Sequence, residues 1–137
     1  NAVRLGLSDQ IVVINKKAPE GFEELPTPTH VFIGGSSGVL SDILSAIQKK
    51  LIVKENTKGK TDKASKGVRV VINAVSLETI AQITKLIQMY PVKHVQLTQI
   101  QASRAHKLGS YNLMQAQNPV LIASFNLLPG DKMEADE

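Results

Sequence analysis

The chain has 137 residues, enough for one domain with one core, and its 42% hydrophobic content suits a globular protein. It has no cysteine, which excludes disulfides and thiolate chemistry, and no apolar run nears the ~20 residues needed to span a bilayer. The net charge of +4 sits mostly in residues 54–66, which carry +3, so little basic excess is left to suit nucleic acid.

The opening NAVRLGLSDQ lacks the charged start and long apolar centre of a signal peptide, and a cytoplasmic location is expected. Residues 10–15 form a short β-branched run, the pattern of a buried strand. Residues 17–28 carry three prolines and Gly21, with room for at most a short helix near Phe22. Residues 29–33 predict a second strand, closed by Gly34 and Gly35. Leu40, Ile43, Leu44, Ile47 and Leu51 then repeat at the spacing of one helical face. Ser36 or Ser37 can cap that helix, and Lys49 and Lys50 suit its C-terminal end.

Residues 54–66, KENTKGKTDKASK, show no apolar period and read as a solvated surface loop without arginine or stacking aromatics. Residues 68–73 predict a third strand. Ser76 caps the next helix, whose inward face is Leu77, Ile80, Ala81, Thr84 and Ile87, and Pro91 ends it. Residues 92–103 read as one long strand, with Val95 and Leu97 on one face and His94, Gln96 and Thr98 on the other. Residues 106–118 read as a polar connection, and residues 119–128 as a last strand. Strand and helix alternate and then two strands follow, which gives an α/β domain whose last pair is antiparallel. Residues 1–128 are expected to form this single domain, and residues 129–137 a tail.

Several side chains could carry chemistry. In Ile33-Gly34-Gly35-Ser36-Ser37-Gly38, glycines allow close backbone approach, and the following helix offers free amides to negative groups. The same residues also suit a plain strand-to-helix turn. Asn73 ends a strand, where its amide can meet a ligand or serve helix entry. Arg104, His106 and Lys107 form a cationic group, and arginine pairs with carboxylates through a bidentate fork. An exposed turn with ordinary surface charge reads equally well there. His30, His94 and His106 lack metal-ligand spacing, so no metal is expected.

Four strings, APE at 18–20, HVFIGGSSG at 30–38, VVINAVSLET at 70–79 and AQNPVLIAS at 116–124, occur in the order and spacing of one family. The chain resembles the later part of the decarboxylating precorrin methyltransferases of cobalamin biosynthesis. GGSSG is similar to that family's IGGSGG turn, NAVSLET to its NAVTLET, and the AQNP string recurs. The resemblance implies a partial Rossmann-like S-adenosylmethionine methyltransferase fold that lacks its first two strands and ends in an antiparallel hairpin. It implies methyl transfer to a precorrin ring with loss of carbon dioxide from an acetate side chain. By position, Gly34, Gly35, Ser36, Asn73 and Arg104 would meet the tetrapyrrole, and Ala18, Ile33 and Gly34 the cofactor.

Two departures qualify that inheritance. The family's opening strand and glycine-rich turn, which cradle S-adenosylmethionine, would lie ahead of Asn1, so residues 1–137 alone are expected not to bind it. Lys17 stands where the family commonly has an acidic residue before Ala18-Pro19, which exchanges an acceptor for a donor. A homo-oligomer, by resemblance a tetramer, is expected, with no nucleic-acid or membrane partner. The alternative reading is a non-catalytic remnant or oligomerisation module of the same fold.

Overall fold

The computed structural model describes residues 1–57 and 67–130. The β-branched run His30–Ile33 forms strand β1, and the heptad-like apolar face of Leu40–Thr57 forms helix α1. Strand β2 (Val68–Ala74) and helix α2 (Leu77–Met89) follow. Ser76 caps α2, its Oγ accepting from the Thr79 amide at 3.2 Å, and Pro91 stands just beyond the helix end. Strand β3 (Val92–Ile100) leads into a two-stranded hairpin, β4 (Ser103–Leu108) and β5 (Tyr111–Ala116), and β6 (Val120–Leu127) closes the order.

The main sheet runs β1-β2-β6-β3. β1 and β2 are parallel, while β6 is antiparallel to both β2 and β3. The expected antiparallel final pair is therefore present as β3 and β6. β6 inserts between β2 and β3, which leaves β3 parallel to β2.

Burial alternates along the strands with period 2, so the two sheet faces separate cleanly. On one face Val68, Val70, Ile72 and Ala74 of β2 meet Ala123, Phe125 and Leu127 of β6, all buried. Leu40, Ile43, Leu44, Ile47 and Leu51 of α1 and Ile83 and Leu86 of α2 join that same cluster. Both helices therefore cover one face. Tyr90 is buried below α1, where its hydroxyl meets Ser45 Oγ at 2.7 Å and the Ser41 carbonyl at 3.1 Å.

Six expectations are corrected. On α2, Leu77, Ala81 and Thr84 are exposed and not inward, while Ile83 and Leu86 face the core. Residues 10–15 do not form a buried strand. Ile11, Val12, Val13 and Ile14 are exposed, and a 3-10 turn at Ser8–Gln10 precedes them. β-branched residues favour extension, but a strand also needs a neighbour, and no described strand pairs with this one. The long strand read over residues 92–103 ends at Ile100, and the polar connection at 106–118 is mostly the β4–β5 hairpin. α1 continues to Thr57, so Lys49 and Lys50 lie inside it and not at its end. Lys50 instead donates to the carbonyls of Glu23 (3.1 Å) and Leu25, tying the short 3-10 turn Phe22–Glu24 to the helix. Finally, Ser36 does not cap α1. Its hydroxyl is buried without a partner, while its carbonyl accepts from the Val39 amide at 2.9 Å. The remainder of the lysine-rich segment, residues 58–66, and the tail from 131 lie outside the described residues.

Candidate functional site

Parallel strands present their C-terminal ends to one edge of a sheet, and loops at that edge carry the chemistry of open α/β folds. Here Gly34 follows β1 at that edge. Asn73 lies beside it, because Ile33 is in register with Ile72. β6 runs the other way, so its entry, Gln117-Asn118-Pro119, reaches the same edge: Ala74 pairs with Leu121. β3 is parallel to β2 and ends there too, at Ile100.

The glycine turn has two kinds of glycine. Gly38 has φ 86° and follows Ser37 at φ 46°, so left-handed backbone explains a glycine at position 38. Gly35 is exposed and a Cβ there would meet nothing within 4 Å. Its surroundings leave open space at the edge where a ligand would approach. Gly34 is tighter, since a Cβ there would stand 3.3 Å from the Phe32 ring. Ser36 is 8% exposed and its Oγ has no hydrogen-bond partner among the described residues. A buried hydroxyl without a partner is costly, and this one sits at the entrance of an 18-residue helix.

Asn73 points to the face opposite the helices and is half-buried. Arg104 lies on β4, opposite Gln115. Register separates the cationic trio: Arg104 and His106 share one face of the hairpin and Lys107 takes the other. From β1 to β3 is three strand spacings of ~4.8 Å, so the glycine turn and the β3 end stand roughly 14 Å apart. The structure thus sets Gly34 beside Asn73 through the β1–β2 register, with Gly35 and Ser36 next along the turn. It puts Arg104 on the same edge but across the sheet from them. Ala18 is half-buried against the core, and no hydrogen bond among the described residues ties it to the glycine turn.

Sequence reasoning missed two features. Arg69, on β2, lies across the open sheet face, where its guanidinium meets Ser124, Asn126 and the His94 carbonyl. It stood inside an apolar run without a motif to flag it. An apolar cavity of about 130 Å³ lies between α1 and the proline-rich segment, lined by Phe22, Leu25, Pro28, Val31 and Ile47. Its one ionic neighbour, Lys50, is already bound to two carbonyls. Among the described residues no three His, Cys, Asp or Glu side chains group as metal ligands, and no helix is long and apolar enough to cross a membrane.

Residues 1–126 match the family model described as a precorrin methyltransferase domain. The chain belongs to this precorrin methyltransferase family. A probable cobalt-precorrin-6B C(15)-methyltransferase (decarboxylating) of Pyrobaculum calidifontis is 30% identical over 122 residues, covering 89% of this chain and 55% of the relative. A protein of the same description from Methanothermobacter thermautotrophicus is 27% identical, with 89% and 56% covered. Among solved structures, the precorrin-6y C5,15-methyltransferase of Geobacter metallireducens aligns with TM-score 0.66 at 26% identity, covering 90% of this chain and 56% of that one. The precorrin 8w decarboxylase of Methanobacterium thermoautotrophicum gives TM-score 0.66 at 26% identity, with 93% and 61% covered. The chain spans a little over half the length of these relatives. The mixed α/β architecture is that of these methyltransferase structures, and the resemblance read from the four strings holds.

Proposed function

We propose that this chain is the later part of a precorrin methyltransferase. In the whole enzyme a methyl group passes to a precorrin ring, and an acetate side chain loses carbon dioxide. The observation that carries this reading is the convergence of Gly34, Gly35, Ser36 and Asn73 at one strand edge in a chain of this family. The open space beside Gly35 admits a planar ligand to the backbone. Asn73 supplies one amide that can donate and accept, and α1 directs its first amides at negative groups. Arg104, on the same edge, supplies the cation for a side-chain carboxylate of the substrate. The site's work in this chain is binding and orientation, which places reacting atoms without a protein nucleophile.

The test uses the longer polypeptide of which these residues form the later part, incubated with the cobalt-precorrin and S-adenosylmethionine. Mass spectrometry should show a tetrapyrrole that has gained a methyl group and lost carbon dioxide. Unchanged tetrapyrrole would overturn the reading. In that protein Arg104→Ala should weaken tetrapyrrole binding by roughly 1.5–3 kcal/mol, the worth of a charge-assisted hydrogen bond, with secondary structure unchanged. Titration of wild type and variant decides this, and equal affinities remove Arg104 from the site.

S-adenosylmethionine is the methyl donor the family implies, and the residues present do not fit it as a complete site. Its ammonium and ribose hydroxyls call for carboxylates, yet β1, β2, β3 and β6 contain no Asp or Glu. Lys17, exposed before Ala18-Pro19, adds a donor where the adenine amino group needs an acceptor. Isothermal calorimetry on residues 1–137 should therefore show no binding of S-adenosylmethionine. Stoichiometric binding at a micromolar Kd would refute this assignment.

One observation favours the second reading, an oligomerisation module of the same fold. Every residue of β4 and β5 is exposed, including Leu108, Tyr111, Leu113 and Met114. An isolated two-stranded hairpin is marginal in water, and a third strand or a second surface stabilises it. Self-association through this hairpin is the expected outcome, a tetramer by family resemblance. Multi-angle light scattering checks it, and a monomer at micromolar concentration sinks the idea.

A further inference from the structure

The turn between β1 and α1 encloses a polar group that the fold leaves without a partner. Ser36 is 8% exposed, and its Oγ is buried with no hydrogen bond among the described residues. These residues already cover the atom, so polypeptide laid against the outside of the sheet does not reach it where it stands. A hydroxyl stripped of water and left unpaired is costly, and native folds hold few of them. The backbone around it is costly too. Ser37 at φ 46° and Gly38 at φ 86° are both left-handed, and Ser37 has a Cβ to accommodate there.

The same turn sets Ser36 at the mouth of α1. Its carbonyl accepts from the Val39 amide at 2.9 Å, which folds the chain back just before the helix. The helix ladder then opens with the Ile43 amide on the Val39 carbonyl at 3.1 Å. The amides of Leu40, Ser41 and Asp42 precede that bond and meet no acceptor among the described residues. Asp42, the acidic residue of this first turn, is exposed, and its side chain makes no hydrogen bond to them. An 18-residue helix with three open amides presents partial positive charge at this end. The open space beside Gly35 lies next to it.

We propose that Ser36 Oγ and the first amides of α1 receive a carboxylate of the tetrapyrrole, and that this carboxylate is one the reaction retains. The inference rests on the function proposed above. Rotation about the Ser36 Cα–Cβ bond, from one staggered well to another, re-aims the hydroxyl while the backbone stays in place. Hydroxyl and amides then donate to one anion, and the hydroxyl gains the partner it lacks. A carboxylate held this way is stabilised as an anion, which opposes its departure as carbon dioxide. The acetate that is lost therefore lies elsewhere. Arg104, across the sheet, takes a different carboxylate, so two separated anchors fix the orientation of the ring. The methyl donor also carries a carboxylate. Its ammonium stands on the same carbon, however, and the positive end of a helix repels it.

The test pairs stability with binding. In residues 1–137, Ser36→Ala removes the unpaired hydroxyl, so the melting temperature should hold or rise by about 3 °C. A fall of more than about 2 °C would mean that the hydroxyl is satisfied within the fold, and would overturn the proposal. In the longer polypeptide, Ser36→Ala should raise the Kd for the cobalt-precorrin about tenfold and leave that for S-adenosylmethionine unchanged. Tetrapyrroles with a single carboxylate converted to an amide identify the group. One of them should bind wild type about tenfold more weakly than the parent compound, yet bind Ser36→Ala as well as the parent does. Turnover by Ser36→Ala should still release carbon dioxide with every methyl transferred. Wild type and Ser36→Ala binding the tetrapyrrole equally, a loss of affinity for S-adenosylmethionine alone, amide effects that simply add, or a methylated product that keeps its acetate would each overturn this proposal and leave the proposed function standing. A wild type that binds no tetrapyrrole would overturn both.

Discussion

Phe125→Ala should abolish cooperative unfolding or lower its midpoint drastically. Phe125 is 1% exposed at the centre of β6, in register with Val70 and within the single cluster that joins both helices to the sheet. Truncating a buried phenylalanine costs about 3–5 kcal/mol, since transfer energy is lost and a cavity is left. A small domain is stable by only about 5–15 kcal/mol. A sheet that packs helices on one face has no second core to share the loss. Two comparisons fix the cause. Phe125→Leu keeps most of the volume and should cost under about 1.5 kcal/mol. Asn126→Ala, one residue along and on the open face, should cost far less than Phe125→Ala. Urea unfolding followed by circular dichroism measures all three. A Phe125→Ala midpoint close to that of Asn126→Ala would show that the core does not sit on the helix-covered face.

The elements legible in the sequence are those whose signal is apolar periodicity. β1, β2 and β6 are short aliphatic runs, and their buried positions alternate as a half-covered sheet requires. α1 showed its inward face through residues such as Ile43 and Ile47, whereas the face read for α2 was rotated: Ile83 and Leu86 are buried and Leu77, Ala81 and Thr84 are exposed. The hairpin was not legible for the same reason inverted. Between Ser103 and Ala116 every side chain is exposed, so no packing constraint writes a pattern. The readable mark there is Gly109 at φ 61°, which begins the two-residue turn before Tyr111. Residues 10–15 failed in the opposite direction: their β-branched composition records a preference for extension, and pairing is a property of the neighbours.

The candidate site was legible only as strings. Gly34, Gly35, Ser36 and Asn73 stood out in sequence because turn residues follow apolar runs, and the sheet register then set Gly34 beside Asn73. The separation of Arg104 from them follows from β6 inserting between β2 and β3, an order that no local pattern encodes. Arg69 was hidden because its partners Ser124 and Asn126 come from β6, a fact of topology. The burial of Ser36 Oγ is likewise set by packing around α1, and composition suggested a cap instead.

Gly67→Ala should cost about 3 kcal/mol or more. Glycine at this position answers a close approach, since its φ lies outside the left-handed region. A Cβ would collide with the Leu127 carbonyl oxygen and fall 2.9 Å from the Leu127 carbonyl carbon and 2.8 Å from Leu128 Cδ2. Leu128 Cδ2 can swing aside, but the Leu127 carbonyl is backbone. It belongs to the β6 residue that pairs with both Val68 and Val92. Moving it opens the sheet at two joints, and the Leu128 amide bond to the Pro91 carbonyl at 2.9 Å lies next to it. Overpacking usually costs about 1–3 kcal/mol, and displacement of central-strand backbone lies at or above that upper end. Gly35→Ala is the matched control, because its Cβ would meet open space and its φ is unstrained. Its stability should stay within about 0.5 kcal/mol of wild type. Thermal unfolding of the two variants side by side decides the matter, and equal melting temperatures would mean that the β2–β6 joint at Leu127 is looser than these distances imply.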